Sequence, residues 1–270
     1  MTFTRRQLLA ASLLPMLPAS QSFAQDAKSP PAWFKLTFDN AAIRRLLDLQ
    51  RDKNDADAAI DSLLDLPAYR NIIRVGEAEG AVDTRQQLAR NAKAVIRGEA
   101  TPTTQPREDA ARLLINNAET YRAMLKEIEA TGAARSARIA AHLAGFAPKK
   151  VTTGEPISAT IYLHLGGTWD ALNVKGDIFL NLHYWAEYHR PALDGLNLVI
   201  AHEAMHSVQN RAFGNPELQD DGAGAWLTAL SKIQREGTAR YIETTVDPDA
   251  YREYTYGFFH RAVATETVRD

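Results

Sequence analysis

The chain has 270 residues, 45% hydrophobic and 24% charged, with a formal net charge of −2 and no cysteine. That length and composition suit one large globular domain or two lobes on a shared core, and the near-neutral balance, with no basic block, argues against nucleic-acid or membrane-surface binding. Without cysteine there are no disulfides, thiolate metal ligands or cysteine nucleophiles, so any metal must be held by His, Asp or Glu.

Residues 1–24 read as an export signal. Thr4-Arg5-Arg6-Gln7-Leu8-Leu9 is similar to a twin-arginine signal, an apolar run follows to Leu17, and Ser22-Phe23-Ala24 provides small residues for cleavage after Ala24. The expected location is therefore periplasmic or secreted. Removing these residues with Arg5 and Arg6 takes the charge from −2 to −4 and leaves 246 residues. Pro15 and Pro18 break the apolar run, and no later stretch is long and apolar enough to span a bilayer, so no stable membrane span is expected after signal removal.

Residues 25–148 are expected to be a helical region. Pro30-Pro31 marks residues 25–34 as a linker, and from Phe38 to about Ala147 the pattern predicts helices throughout. One, capped by Asp39, runs through Ile43, Leu46, Leu47 and Leu49. Others cover 55–64, 83–95, 108–130 and 133–144, with Pro67, Pro102, Pro106 and Pro148 as breakers. Leu113, Leu114, Ala118, Tyr121, Met124, Leu125 and Ile128 give the longest of these one face to bury. His142, set among alanines, reads as an ordinary helix histidine.

The pattern changes at Pro148, where residues 149–270 begin a second region. Residues 159–165 alternate with Ile161, Leu163 and Leu165 on one side, which predicts a strand. A turn-rich link over 166–175 leads to a second strand over 177–182. That second strand is expected to be the edge that aligns an extended peptide. Asp194 is positioned to cap the helix that follows.

This helix carries His202-Glu203-Ala204-Met205-His206-Ser207-Val208-Gln209. Two histidines four apart share a helix face and can hold one metal, while Glu203 sits where a carboxylate could act as general base. Leu198, Ala201, Met205, Val208 and Ala212 form an apolar stripe that leaves His202, His206 and Gln209 facing the other way. A catalytic zinc takes three protein ligands and keeps one position open. Residues 226–243 read as a second helix with Trp226, Leu230, Ile233, Gly237 and Tyr241 on its apolar side. Glu236 borders that side next to Gly237 and Ala239, small residues that let helices approach, and is the expected third ligand. Glu217, Asp220 and Asp221 in a turn, and Glu243, rank behind it. His183 and His189, just before the motif helix, could reach the cleft.

These two segments, His202 to Gln209 and Arg235-Glu236-Gly237-Thr238-Ala239-Arg240-Tyr241-Ile242-Glu243, resemble the gluzincin metallopeptidases, and among them the peptidase MA-like and uncharacterised bacterial zinc-peptidase groups. The resemblance covers about Ala159 to Ile242 and lacks the N-E-x-x-A-D-type segment of thermolysin-like enzymes. It implies Zn2+ on His202, His206 and Glu236, with Glu203 as general base. The expected fold is α+β and mostly helical: a small sheet packed on the H-E-x-x-H helix in a zincin-like region, preceded by helices. The expected activity is hydrolysis of a peptide or protein substrate. Tyr241, Tyr254, Tyr256 and His260 are the candidates to stabilise the oxyanion. The second reading is a non-catalytic zinc-binding or envelope-assembly module, against which an intact Glu203 speaks.

Overall fold

A computed structural model describes residues 32–78, 84–99, 110–165, 171–182, 193, 195–214 and 222–252. The expected export signal, the Asp194 cap and the candidates His183, His189, Glu217, Asp220, Asp221, Tyr254, Tyr256 and His260 lie outside the described residues. The fold is α+β and mostly helical, as the periodicities predict. Its elements are β1 (Phe34–Asp39), α1 (Ala41–Arg51), α2 (Asp57–Leu64), α3 (Pro67–Ala78), α4 (Thr84–Arg97), α5 (Ala110–Ala144) and α6 (Lys149–Thr152). Then follow β2 (Ile157–His164), β3 (Ala171–Val174), β4 (Asp177–Asn181), α7 (Gly195–Phe213) and α8 (Gly222–Val246).

The four strands form one sheet in the order β1-β2-β4-β3. β1, β2 and β4 run parallel, and β3 lies antiparallel to β4. The expectation of helices from Phe38 onward is corrected here: Phe38 and Asp39 end a strand. Phe34 and Leu36 are buried while Lys35 faces out, the two-residue period of a half-buried strand. Asp39 does serve the next helix, where its carboxylate accepts the Ala41 amide at 2.9 Å. β1 also explains a glycine inside α5. A Cβ on Gly132 would lie 3.0 Å from the Phe38 ring, so any larger residue there would need that ring to give way.

One continuous core follows, with Ile161, Leu163, Ile178 and Leu180 from the sheet, Ile43 from α1, Ile128 from α5 and Ile200 from α7. α1 and α3 pack against β2, α5 against β1, and α7 across β2, β4 and β3. Arg135 of α5 is buried and donates to the Leu193 carbonyl at 2.8 Å and to Asn197 Oδ1 at 3.1 Å. These bonds fix the entry to α7 from the helical side of the molecule.

α8 packs differently from expectation. Its buried side is Ala239, Ile242, Glu243 and Val246. The stripe expected to pack is exposed instead, with Trp226 at 73%, Leu230 at 57% and Ile233 at 59%. A Cβ on Gly237 would meet nothing within 4 Å, so that glycine serves no close helix approach. Ile43→Ala is therefore expected to lower stability by about 2–5 kcal/mol, whereas Leu230→Ala stays within about 0.5 kcal/mol of the parent. Urea denaturation of both variants checks this contrast.

Candidate metal centre

α7 is buried almost all round, and its burial extends to polar side chains: Asn197, Glu203, Ser207 and Gln209 are all buried alongside Leu198, Ile200 and Val208. Buried polar groups must be hydrogen-bonded, and several of the partners come from other elements. Ser207 Oγ donates to the Gly176 carbonyl at 3.0 Å. Asn173 of β3 donates to the Glu203 carbonyl at 2.8 Å and to Ser207 Oγ at 2.9 Å. These bonds lay β3 beside the motif, and β3 forms one edge of the sheet among the described residues. The strand over 177–182, expected to be that edge, is β4 and lies inside the sheet between β2 and β3. The true edge falls within the stretch read as a turn-rich link.

The two histidines face α8. His202 Nε2 lies 3.4 Å from Glu236 Oε2, and His206 Nε2 lies 3.5 Å from Glu236 Oε1. Ligand atoms of all three residues fall within 4.8 Å of one another. Zinc binds such donors at about 2.0–2.2 Å, so neighbouring atoms on a tetrahedral ion stand about 3.3–3.5 Å apart. Each of the two separations, to a different oxygen of Glu236, is of that size. Glu236 sits at the mouth of the site with its side chain 64% exposed, not enclosed between helices as its small neighbours had suggested.

Both Nδ1 atoms are already occupied. His202 Nδ1 donates to Glu243 Oε2 at 3.2 Å, and Arg240 donates to both Glu243 oxygens at 2.7 and 2.6 Å. Gln209 Nε2 donates to the Arg235 carbonyl at 3.0 Å. A carbonyl only accepts, so it is Oε1 of the same amide that meets His206 Nδ1, at 3.0 Å, and that nitrogen must carry the proton. Each ring thus keeps Nε2 for a metal. Gln209 also ties the motif helix to the residue just before Glu236.

The charges follow from this geometry. Burial pulls the His202 imidazole down, but hydrogen bonds to Glu236 and Glu243 outweigh it and raise its pKa to about 9. His206 goes the other way, lowered by burial against the support of Gln209. The hydrogen bond from His202 holds the Glu236 carboxyl below its ordinary value despite burial. A cleft of about 760 Å3 opens over the group, lined by β3, by α7 including Glu203, and by Arg235 and Glu236 of α8.

Residues 60–265 match a family described as "Putative zinc dependent peptidase (DUF5700)". The chain belongs to this family. Neither a curated protein nor a solved structure matches it. In the fold of this zinc-peptidase family member, the motif residues His202, Glu203 and His206 and the distant Glu236 come together at one cleft. Tyr241 does not join them. Five positions past Glu236 it lies about 140° round the helix, with its ring against Phe146 at 5.9 Å. His142 bonds Thr245 Oγ1 at 3.0 Å, an internal helix-to-helix contact.

Sequence reasoning assigned no role to three residues that matter here: Asn173, Gln209 in its double contact, and Glu243 as the partner of His202. Spacing could have found the last, because Glu243 stands seven positions after Glu236 and shares its helix face. Gln209→Ala would strand His206 Nδ1 and the Arg235 carbonyl, and is expected to cost about 1–3 kcal/mol of stability. Gln209→Glu restores the acceptor but not the donor and should fall between the two. Chemical denaturation of the three proteins without added metal measures the order.

Proposed function

We propose that this protein is a zinc-dependent peptidase with its metal on His202, His206 and Glu236 and with Glu203 as general base. The observation that carries this reading is the convergence of two imidazole Nε2 atoms on one carboxylate, at 3.4 and 3.5 Å, while both Nδ1 atoms are bound elsewhere. Zinc held there would polarise a substrate carbonyl and allow water to act as a nucleophile near neutral pH.

The chain's own groups supply the rest. Glu203 follows His202 directly and lines the cleft from a buried position, where its carboxylate takes a proton from the attacking water and delivers it to the leaving amine. A site that only holds structure has no use for that carboxylate, which favours a hydrolase over a zinc-binding assembly module. β3 is an edge strand of the sheet among the described residues and lines the cleft through Ala171, Leu172 and Asn173. An extended peptide laid along it gains backbone hydrogen bonds that bring its carbonyls past the metal ligands.

Purified protein is expected to hold about one zinc per chain and to cleave members of a peptide library. Glu203→Gln should retain the zinc and lose cleavage by about 10²–10⁴-fold. Bound zinc with no cleavage of any peptide would instead favour the assembly module, and failure to bind zinc would sink both readings. The pH dependence of loading has a defined sign. His202 is protonated below about 9, and only the neutral ring can bind metal. Zinc affinity should therefore fall as pH drops below that value, by up to about tenfold per pH unit. Competition titration with a zinc-binding dye at several pH values reads that slope.

A further inference from the structure

The cleft carries a charge pattern that the hydrolytic chemistry does not use. Among the described residues, its lining carboxylates are Glu203 and Glu236, both committed to the proposed site, whereas its lining cations are Lys175, Arg211 and Arg235. The three arrive from three elements. Lys175 stands in the β3–β4 turn, which Ser207 Oγ holds against α7 through the Gly176 carbonyl at 3.0 Å. Arg211 belongs to the last turn of α7 itself. Arg235 of α8 reaches the same end of that helix, where it donates to Asn210 Oδ1 and to the Gly214 carbonyl. All three line the same cleft, beside the part of α7 that follows His206.

Among the described residues these charges are poorly matched. The oxygens that Arg235 meets are neutral, so its charge is not balanced by them. Arg211 approaches Glu155 only at 4.0 Å, and Glu155 is 89% exposed, a pair worth almost nothing in water. Lys175 has no carboxylate within ion-pair distance among the described residues, and its backbone takes φ 54°, where Asn or Gly would be easier. The helix C-terminus accounts for one cation near Arg211, but not for three converging from separate elements. The whole chain carries −2, so the positive cleft end stands against the overall sign of the molecule, and a low-dielectric wall on each side would focus it.

We propose that this end of the cleft is a subsite for acidic side chains, so that the peptides cleaved carry Asp or Glu within a few residues of the scissile bond on one side. The assignment rests on the peptidase reading above, because it takes the substrate to lie along β3 past the metal ligands. β3 leads directly into the turn that bears Lys175, so the residue of an extended peptide that passes the end of β3 meets the lysine first, with Arg211 and Arg235 beyond.

The test is a neutral peptide that the protein cleaves, with Glu placed at each position in turn. Glu on one side of the scissile bond should raise kcat/KM by about tenfold or more, chiefly through KM, and added salt should erode the gain. In the double variant Lys175→Ala, Arg211→Ala the acidic-to-neutral ratio should fall toward one. Charge reversal to Lys175→Glu, Arg211→Glu should shift preference to Lys-bearing peptides. Fluorescence anisotropy of the same labelled peptides on zinc-loaded Glu203→Gln reads recognition without turnover and should show the same order of affinity. Equal cleavage and equal binding of acidic and neutral peptides would overturn the subsite and leave the peptidase reading standing. Charge-dependent binding without cleavage by the parent would overturn the peptidase reading and leave the subsite.

Discussion

The structure depends on one constraint: a helix buried on nearly every side has to carry polar chemistry. α7 places Asn197, Glu203, Ser207 and Gln209 in the interior, and a buried polar group left unbonded costs about 1–3 kcal/mol. The surrounding elements are arranged to meet that demand. Arg135 comes from α5 to Asn197, Asn173 from β3 to Ser207 and to the backbone at Glu203, and the Arg235 carbonyl from α8 to Gln209. The contacts that satisfy α7 are also the contacts that position the site. Loosening any one of them would disturb both.

The two histidines are supported unequally. Behind His202 stands a buried carboxylate, itself gripped by the Arg240 guanidinium through two bonds. Behind His206 stands a neutral amide. A carboxylate partner makes an imidazole a stronger electron donor than an amide does, so in the proposed site His202 would be the stronger donor of the two. The placement of Gln209 compensates geometrically. Its second bond reaches the residue before Glu236, so any shift of α8 along α7 would move His206 and the carboxylate together.

Much of this was legible in the sequence where a period longer than one turn was present. The four-residue interval of His202 and His206 needs only helical geometry to bring them together, and the length of the apolar run around them makes that helix secure. Glu236 could be ranked first by its neighbours, although its exposure could not. β1 was obscured because its alternation is short and follows a Pro-rich stretch. β3 was invisible because its four residues, Ala171-Leu172-Asn173-Val174, are all half-buried and give no contrast between faces. α8 misled for a different reason. Its large apolar residues recur at helical spacing on the side away from the core, while the packed side is made from small and medium residues around Glu243. Periodicity finds an apolar stripe but does not say what covers it. The roles of Gln209 and Glu243 are fixed by neighbours far away in the chain and only emerge in three dimensions.

The pairing of β1 with β2 bears on how the protein comes to be folded. Phe34 lies opposite Ile157, 123 positions later, and six of the described helices stand between them. During synthesis β1 must wait, its strand edge open, until nearly two thirds of the chain has left the ribosome. Such distant parallel pairing closes a large loop before any contact repays it, which slows folding and prolongs exposure of an adhesive edge. The proposed metal ligands come later still, on α7 and α8. A chain synthesised only as far as α6 would contain neither the completed sheet nor the cleft residues of α7 and α8.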